Sequence, residues 1–143
     1  MKIDLSYFQK LLGVFIDAKD AHININDLKG AGITIEDNNK YDQSFLFHIQ
    51  IALENKLISN IDFESNNLKK IGLDFGVTNN PFIIDKPIRL TQNGHDFANA
   101  LNNKEILLKL KTELKDAPFK VIFEGSQKLL QHFFKKKIDS LIE

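Results

Sequence analysis

Residues 41–58, with the sequence YDQSFLFHIQIALENKLI, form the stretch that decides the fold of this chain. On a helical wheel, apolar side chains occupy most of the circumference and leave a narrow polar strip. The side that we expect to be buried consists of Tyr41, Phe45, His48, Ile49, Ala52, Leu53 and Lys56, with Phe47, Ile51 and Leu46 at its flanks. A helix that is apolar on most sides is buried on most sides, so the pattern predicts a central helix that runs into a strand.

Short elements precede the central helix. Apolar residues at helical spacing predict a first helix over residues 4–18 with Asp4 as its N-cap. Polar and apolar residues alternate over 22–26, which indicates a short strand, and Asn26 is placed to cap a brief helical turn after it. The polar cluster at residues 36–39 predicts the turn and the N-cap that open the central helix.

Two extended stretches follow the central helix. Residues 57–63 alternate in part, and residues 81–90 form a second apolar stretch in which Pro87 indicates a sheet edge. The connection between them is polar and rich in Asn and Gly. This order predicts a β-hairpin with an extended tip.

The last part of the chain is helical by pattern. Thr91 is the predicted N-cap of a further helix, and Gly94 removes a side chain where this helix has to lie close to a neighbour. The pattern is then interrupted by two Asn residues. We therefore divide the chain into a domain of residues 1–101 and a C-terminal helical extension of residues 102–143.

The extension contains two predicted helices. One covers residues 104–115, and the last begins at Pro118. The last helix has a broad apolar stripe that consists of Phe119, Ile122, Phe123, Leu129, Leu130, Phe133, Phe134 and Leu141. This stripe is wider than a surface helix needs, so it either packs back on the domain or pairs with its twin in a homodimer.

Composition limits the class of protein. A chain of 143 residues with 43% apolar content suits a packed globule, and no apolar run reaches the length of a membrane span. The chain has no Cys, and its start lacks the order of a signal peptide, so we expect a cytoplasmic protein. The net charge is zero, but residues 1–68 carry six Lys against ten acidic residues, and residues 69–143 carry thirteen basic against nine acidic residues.

Three segments together resemble one family. They are FHIQIALENKLI at residues 47–58, RLTQNGHDF at residues 89–97, and APF at the start of the last helix. In this order they are similar to a family of short bacterial and prophage proteins of unknown function with a winged-helix core. The chain carries Asn55 and Lys56 where the family pattern has Ala-Gly. The resemblance implies an α+β, mostly helical fold with a winged helix-turn-helix core, a two-stranded wing and additional C-terminal helices.

A DNA-binding winged helix places its central helix in the major groove. The predicted base contacts lie at the start of that helix, where amides suit adenine, and are Asn38, Asn39, Lys40 and Gln43. The predicted phosphate contacts are Lys69 and Lys70 at the wing tip, and Lys86 and Arg89 on the returning strand. Acidic residues flank both sets, so we expect weak binding by a monomer.

These patterns favour a winged-helix protein that binds double-stranded DNA as a homodimer, as a regulator associated with a mobile element or prophage. The alternative is a non-enzymatic protein–protein interaction module, which the neutral charge and the acidic first half favour. No phosphate-binding loop or nucleophile elbow occurs, so we expect neither an enzyme nor a cofactor.

His48 and His95 lie in two of the resembling segments. The spacing offers no further ligands for a metal ion, and we expect no metal site. We predict core histidines whose rings bond to the backbone, and a pH switch is the alternative.

Overall fold

The structure is a computed structural model that describes residues 1–143. In chain order its elements are α1 (Leu5–Asp17), α2 (Ile25–Gly30), β1 (Glu36–Asp37), β2 (Lys40–Tyr41), α3 (Gln43–Glu54), β3 (Ile58–Asn60), a 3-10 helix (Leu68–Ile71), β4 (Leu73–Phe75), β5 (Pro81–Ile83), β6 (Ile88–Leu90), α4 (Gln92–Asn102), α5 (Lys104–Glu113) and α6 (Phe119–Ile142). The predicted α+β, mostly helical class is confirmed. None of the helices is long and apolar enough to cross a membrane.

Each strand pairs with one other strand. β1 pairs with β2, β3 with β6 and β4 with β5, all antiparallel. In the β3–β6 pair, Ile58 lies opposite Leu90. The short strand predicted before α2 is a single bridge between Ile23 and Ile88. The predicted hairpin is therefore two nested pairs, because β4 and β5 form their own hairpin between β3 and β6.

The first two helices begin where a side chain caps them. Asp4 accepts a hydrogen bond from the Tyr7 N–H, so the predicted N-cap of α1 is confirmed. The cap of α2 is Asn24, and the prediction of Asn26 is wrong. Asn24 accepts from the Asp27 N–H while the Asp27 carboxylate accepts from the Asn24 N–H. This reciprocal pair satisfies two backbone amides together.

α3 begins later than the sequence predicted. Asn38 and Asn39 have left-handed backbone angles, φ 52° and 60°, and form the two-residue turn of the β1–β2 hairpin. The N-cap of α3 is Asp42, whose carboxylate accepts from an N–H of the first turn. The prediction that Asn38, Asn39 and Lys40 open this helix is wrong, and only Gln43 belongs to its first turn.

α3 contributes a large share of the core. Its buried residues are Phe45, His48, Ile49, Ala52 and Leu53, as the apolar pattern predicted. The assignment of Lys56 to the buried side is wrong, because Lys56 lies beyond the end of α3, is exposed and has φ 55°. A left-handed residue just after a helix is most often glycine, so Lys56 is an unusual residue at this position.

α4 packs against both α1 and α6. The contact is aromatic, since the ring centroid of Phe97 lies 6.0 Å from that of Phe8, 5.4 Å from that of Phe119 and 5.7 Å from that of Phe123. One cluster of buried apolar side chains includes residues of α1, α3, α4, α5 and the first half of α6. The C-terminal extension therefore packs on the domain that precedes it.

The start of α4 lies against the residues that follow α3. A Cβ placed on Gly94 would lie 2.0 Å from the Leu57 carbonyl oxygen, so the predicted close approach is confirmed. Thr91 caps α4 by accepting from the Gly94 N–H, and its hydroxyl donates to the Lys56 carbonyl. α4 is thus fixed to the chain between α3 and β3.

The apolar stripe of α6 divides into two parts. Ile122 is buried and Phe123 is half-buried, so the first half packs back on the core. In the second half, Phe134 is 49% exposed and Leu141 is 83% exposed. Packing back accounts for only the first half of the stripe.

Candidate functional site

The chain between β3 and β6, residues 61–87, forms an insert in the β3–β6 hairpin. Its inner side is anchored, because Ile71 and Leu73 are buried. The Tyr41 hydroxyl donates to the Asp74 carbonyl at 2.6 Å and accepts from the Asp74 N–H at 3.1 Å. Burial raises the pKa of Tyr41, so this hydroxyl keeps its proton for the bond. The β4–β5 hairpin is thereby held to the last residue of β2.

The insert exposes apolar side chains on more than one face. Six large apolar side chains of this segment are exposed, namely Ile61, Phe63, Phe75, Val77, Phe82 and Ile84. Residues 71–85 contain two acidic residues, Asp74 and Asp85, and no Lys or Arg. The tip of the insert therefore exposes Val77 in its turn and Phe82 beside Asp74, while the Phe75 ring, 44% exposed, packs against Tyr41 at 5.3 Å between centroids.

The predicted phosphate contacts Lys69 and Lys70 are not at the tip. They lie on the 3-10 helix, whereas the tip is the β4–β5 turn, so this part of the prediction is wrong. The physical reason is an N-cap, since the Asn67 side chain accepts from the Lys70 N–H and starts a helical turn. Lys70 lies 3.2 Å from the Glu64 carboxylate. Of the predicted phosphate contacts, only Lys69 is exposed.

Lys86 and Arg89 follow the hairpin and are half-buried. The pKa of Glu64 is lowered by the Asn60 side chain, by Lys70 and, more weakly, by Lys86. The Arg89 guanidinium lies 5.1 Å from the centroid of the Phe63 ring. The insert therefore already provides internal partners for part of its positive charge.

Phe63 is 76% exposed and has φ 63°. A bulky residue rarely adopts this left-handed conformation. The Asn60 side chain enforces it by accepting from the N–H groups of Asp62 and Glu64, each at 2.9 Å. A groove of about 670 Å³ separates Phe63 from the end of α3. The Asn60 side chain therefore holds an exposed aromatic ring on a strained backbone.

The outer side of α3 has little positive potential. Gln43 is exposed, but its amide donates to the Tyr41 carbonyl at 2.9 Å. Gln50 and Glu54 complete the exposed side, and α3 contains no Lys or Arg. Asn38, Asn39 and Lys40 are exposed on the β1–β2 turn. The predicted base contacts therefore do not form one set at a helix start.

His48 is buried, and both ring nitrogens contact the backbone. The Asp4 N–H donates to Nε2 at 2.9 Å, and Nδ1 lies 2.7 Å from the Ser44 carbonyl, to which it donates. Burial lowers the pKa of His48. The core-histidine prediction is confirmed for His48 and wrong for His95, which is exposed. No group of three or more His, Cys, Asp or Glu residues is arranged to hold a metal ion.

Comparison of the chain with protein-family models, with curated proteins and with solved structures gives no match.

Sequence reasoning missed the exposed apolar side chains of the insert. The sequence predicts residues 81–84 as part of one returning strand with the residues that follow them. Phe82 and Ile84 are two residues apart, a spacing that places both on one face of a strand. Their spacing predicts an apolar face. Which face is buried depends on the pairing with β4, and the polar composition of residues 64–80 did not predict a strand there.

Proposed function

We propose that this chain is a winged-helix protein, with the insert as its wing, and that it acts as a non-enzymatic protein-interaction module. The order of elements supports the winged-helix assignment, since a bridge strand and α2 precede the central α3, and the insert returns to the core through β6. The bridge of Ile23 with Ile88 adds the N-terminal stretch to the β3–β6 pair.

The observation that carries the interaction function is the outer surface of the insert. Its tip exposes Phe75, Val77 and Phe82 and contains no base. Exposed apolar patches with polar rims mark contact sites on soluble proteins, and interface centres are enriched in aromatic residues. A wing that neutralises DNA phosphates carries Lys or Arg at its tip, which this tip lacks. An apolar partner surface with basic residues at its rim fits this tip and the two Asp residues beside it.

A quantitative pull-down from the native host tests the proposal. The baits are the wild type, the double variant Val77→Lys and Phe82→Lys, and the matched control Leu108→Lys. Leu108 is also exposed, but it lies on α5, far from the insert in sequence. We expect a partner that the wild type and the control recover and the double variant loses. Equal recovery by all three baits contradicts the proposal.

Binding of double-stranded DNA is the second candidate function. It is favoured by the same order of elements and by the exposed amides of Asn38 and Asn39 beside α3. In this case the chain is a cytoplasmic regulator associated with a mobile element or prophage. A mobility-shift titration at low salt tests it, with the double variant Lys69→Glu and Lys70→Glu as the comparison. Binding by the wild type that the variant abolishes supports DNA as the ligand, and absence of binding at low salt eliminates it.

We infer in addition that the chain forms a homodimer through α6. The second half of this helix exposes apolar side chains that the core does not cover, which supports a second copy as the partner. Light scattering over a concentration series measures the mass directly. A mass that stays at 16.4 kDa at every concentration contradicts the homodimer.

A further inference from the structure

The distal part of α6, residues 134–142, has one apolar side. Phe134 is 49% exposed, Ile138 56%, Leu141 83% and Ile142 78%. These residues are spaced four, seven and eight positions apart, so they lie on the same side of the helix.

The same side of α6 is mostly polar in the first half of the helix, where Phe123 and Leu130 at its edge pack on the core. There it carries Lys120, Glu124, Gln127 and Gln131. The change to Phe, Ile and Leu coincides with the point after which every residue of α6 is exposed. The apolar side is therefore confined to the part of the helix that its own core leaves uncovered.

We propose that this segment pairs with the same segment of a second copy, in antiparallel orientation and centred on Ile138. The proposal rests on the homodimer inferred above and adds its geometry. Ile138 of one copy then faces Ile138 of the other. Phe134 of each copy faces Ile142 of its partner, which gives two equivalent contacts. Leu141 fills the space between these contacts. Each copy thus covers the apolar side of its partner.

The charges at the rims select the antiparallel orientation. In an antiparallel pair, equal rims of the two helices face each other, so Lys135 of one copy meets Asp139 of the other, twice. In a parallel pair, opposite rims meet, and Lys135 approaches Lys137. Lys137 lies on the second rim, and its ammonium group lies 5.2 Å from the centroid of the Phe133 ring, on the side away from Ile138.

The contact is small. A stable interface takes about 20–30 residues from each partner, and this segment has fewer. We expect a dissociation constant on the order of 10 µM, so the dimer is present only at high local concentration.

The absence of Cys from the chain allows a direct test by single-cysteine cross-linking. The variant Ile138→Cys should form an intermolecular disulfide under mild oxidation at about ten times the expected dissociation constant. The control Lys136→Cys is two residues away but lies on the opposite side of the helix, and it should cross-link only at the collision rate. All these positions are exposed, so the variants should melt as the wild type does.

The orientation is read from two further variants. Phe134→Cys alone should not cross-link, and a mixture of Phe134→Cys with a size-tagged Ile142→Cys should give the mixed disulfide. A disulfide of Phe134→Cys with its own twin overturns the antiparallel orientation. If the mass shows a dimer but Ile138→Cys and Lys136→Cys cross-link equally, this interface is wrong and the homodimer is retained. A chain that stays monomeric overturns both the interface and the homodimer. The same holds if the monomer sediments with phosphatidylglycerol vesicles through these residues.

Discussion

Two antiparallel strand pairs of three residues each lie close together in the sequence and differ in almost every physical respect. In the β3–β6 pair, Ile58, Ile88 and Leu90 are buried, and α4 begins directly against the preceding carbonyls. In the β4–β5 pair, Leu73 is buried but Phe75 and Phe82 are exposed, and the Tyr41 hydroxyl bonds the backbone of Asp74. The first pair belongs to the core, and the second presents a surface. Substitutions in the first should therefore cost stability, and substitutions on the outer side of the second should cost binding.

The largest effect is expected at Gly94, beside the β3–β6 pair. Gly94→Ala places a methyl group 2.0 Å from the Leu57 carbonyl oxygen, and the backbone has to shift. We expect a loss of about 3 kcal/mol in the free energy of unfolding, at the upper end of overpacking effects, measured by urea denaturation. The control is Gly13→Ala in α1, where an added Cβ meets nothing within 4 Å. It should gain about 0.5–1 kcal/mol. Equal losses in both variants would refute the close contact.

The anchor of the β4–β5 pair should give the next largest effect. Tyr41→Phe leaves the Asp74 carbonyl and N–H without the hydroxyl that bonds both, at a cost of about 1–2 kcal/mol. The matched control is Tyr7→Phe, because the Tyr7 hydroxyl is buried without a partner and burial raises its pKa to about 12. Its removal should be neutral or slightly stabilising. Thermal unfolding of both variants checks the difference, and a larger loss for Tyr7→Phe would contradict it.

Acid should weaken the core through His48. Burial lowers the pKa of His48 below its ordinary value of 6.5, so the unfolded chain binds this proton more readily than the folded one. The stabilisation is complete above pH 6.5 and is lost as the pH falls towards the folded pKa. The slope is at most about 1.4 kcal/mol per pH unit for one proton. Urea denaturation between pH 7.5 and 5 measures it, and the variant His48→Gln should show a flatter profile. An equal slope in the variant would assign the effect to other groups.

The smallest effect is expected at Phe63 of the insert. Phe63→Asn relieves a left-handed conformation that costs about 1 kcal/mol, since Asn adopts it readily. It also removes the contact with Arg89, which is worth about 0.5–1 kcal/mol at an exposed site. The two changes nearly cancel, so the free energy of unfolding, measured by urea denaturation, should stay within about 0.5 kcal/mol of the wild type. A loss above about 1.5 kcal/mol would show that the ring supports the fold.

The sequence predicts burial and helix caps correctly where a local pattern of residues determines them. The spacing of Phe45, Ile49 and Ala52 fixed the buried side of α3, and Thr91 and Gly94 fixed the start of α4. These features depend on residues a few positions apart, so helical periodicity and turn chemistry reveal them.

The exposed surface of the insert could not be predicted from local patterns, because it depends on residues that are distant in sequence. Asp74 is bonded by Tyr41, 33 positions earlier, and Leu73 joins the core cluster, so contacts distant in sequence hold β4 in place. The turn of Asn38 and Asn39 is a local feature, yet Asn also caps helices, and only the pairing of β1 with β2 distinguishes the two roles. Lys69 and Lys70 differ from their predicted place at the wing tip for a related reason. The cap at Asn67 starts a helical turn that contains both.

The contact function of the insert is tested most directly by the comparative pull-down. A bait that differs from the wild type only by Val77→Lys and Phe82→Lys should keep its melting temperature and lose a partner that the wild type and Leu108→Lys retain. Recovery of the same proteins by all three baits, or of nucleic acid alone, would contradict the account.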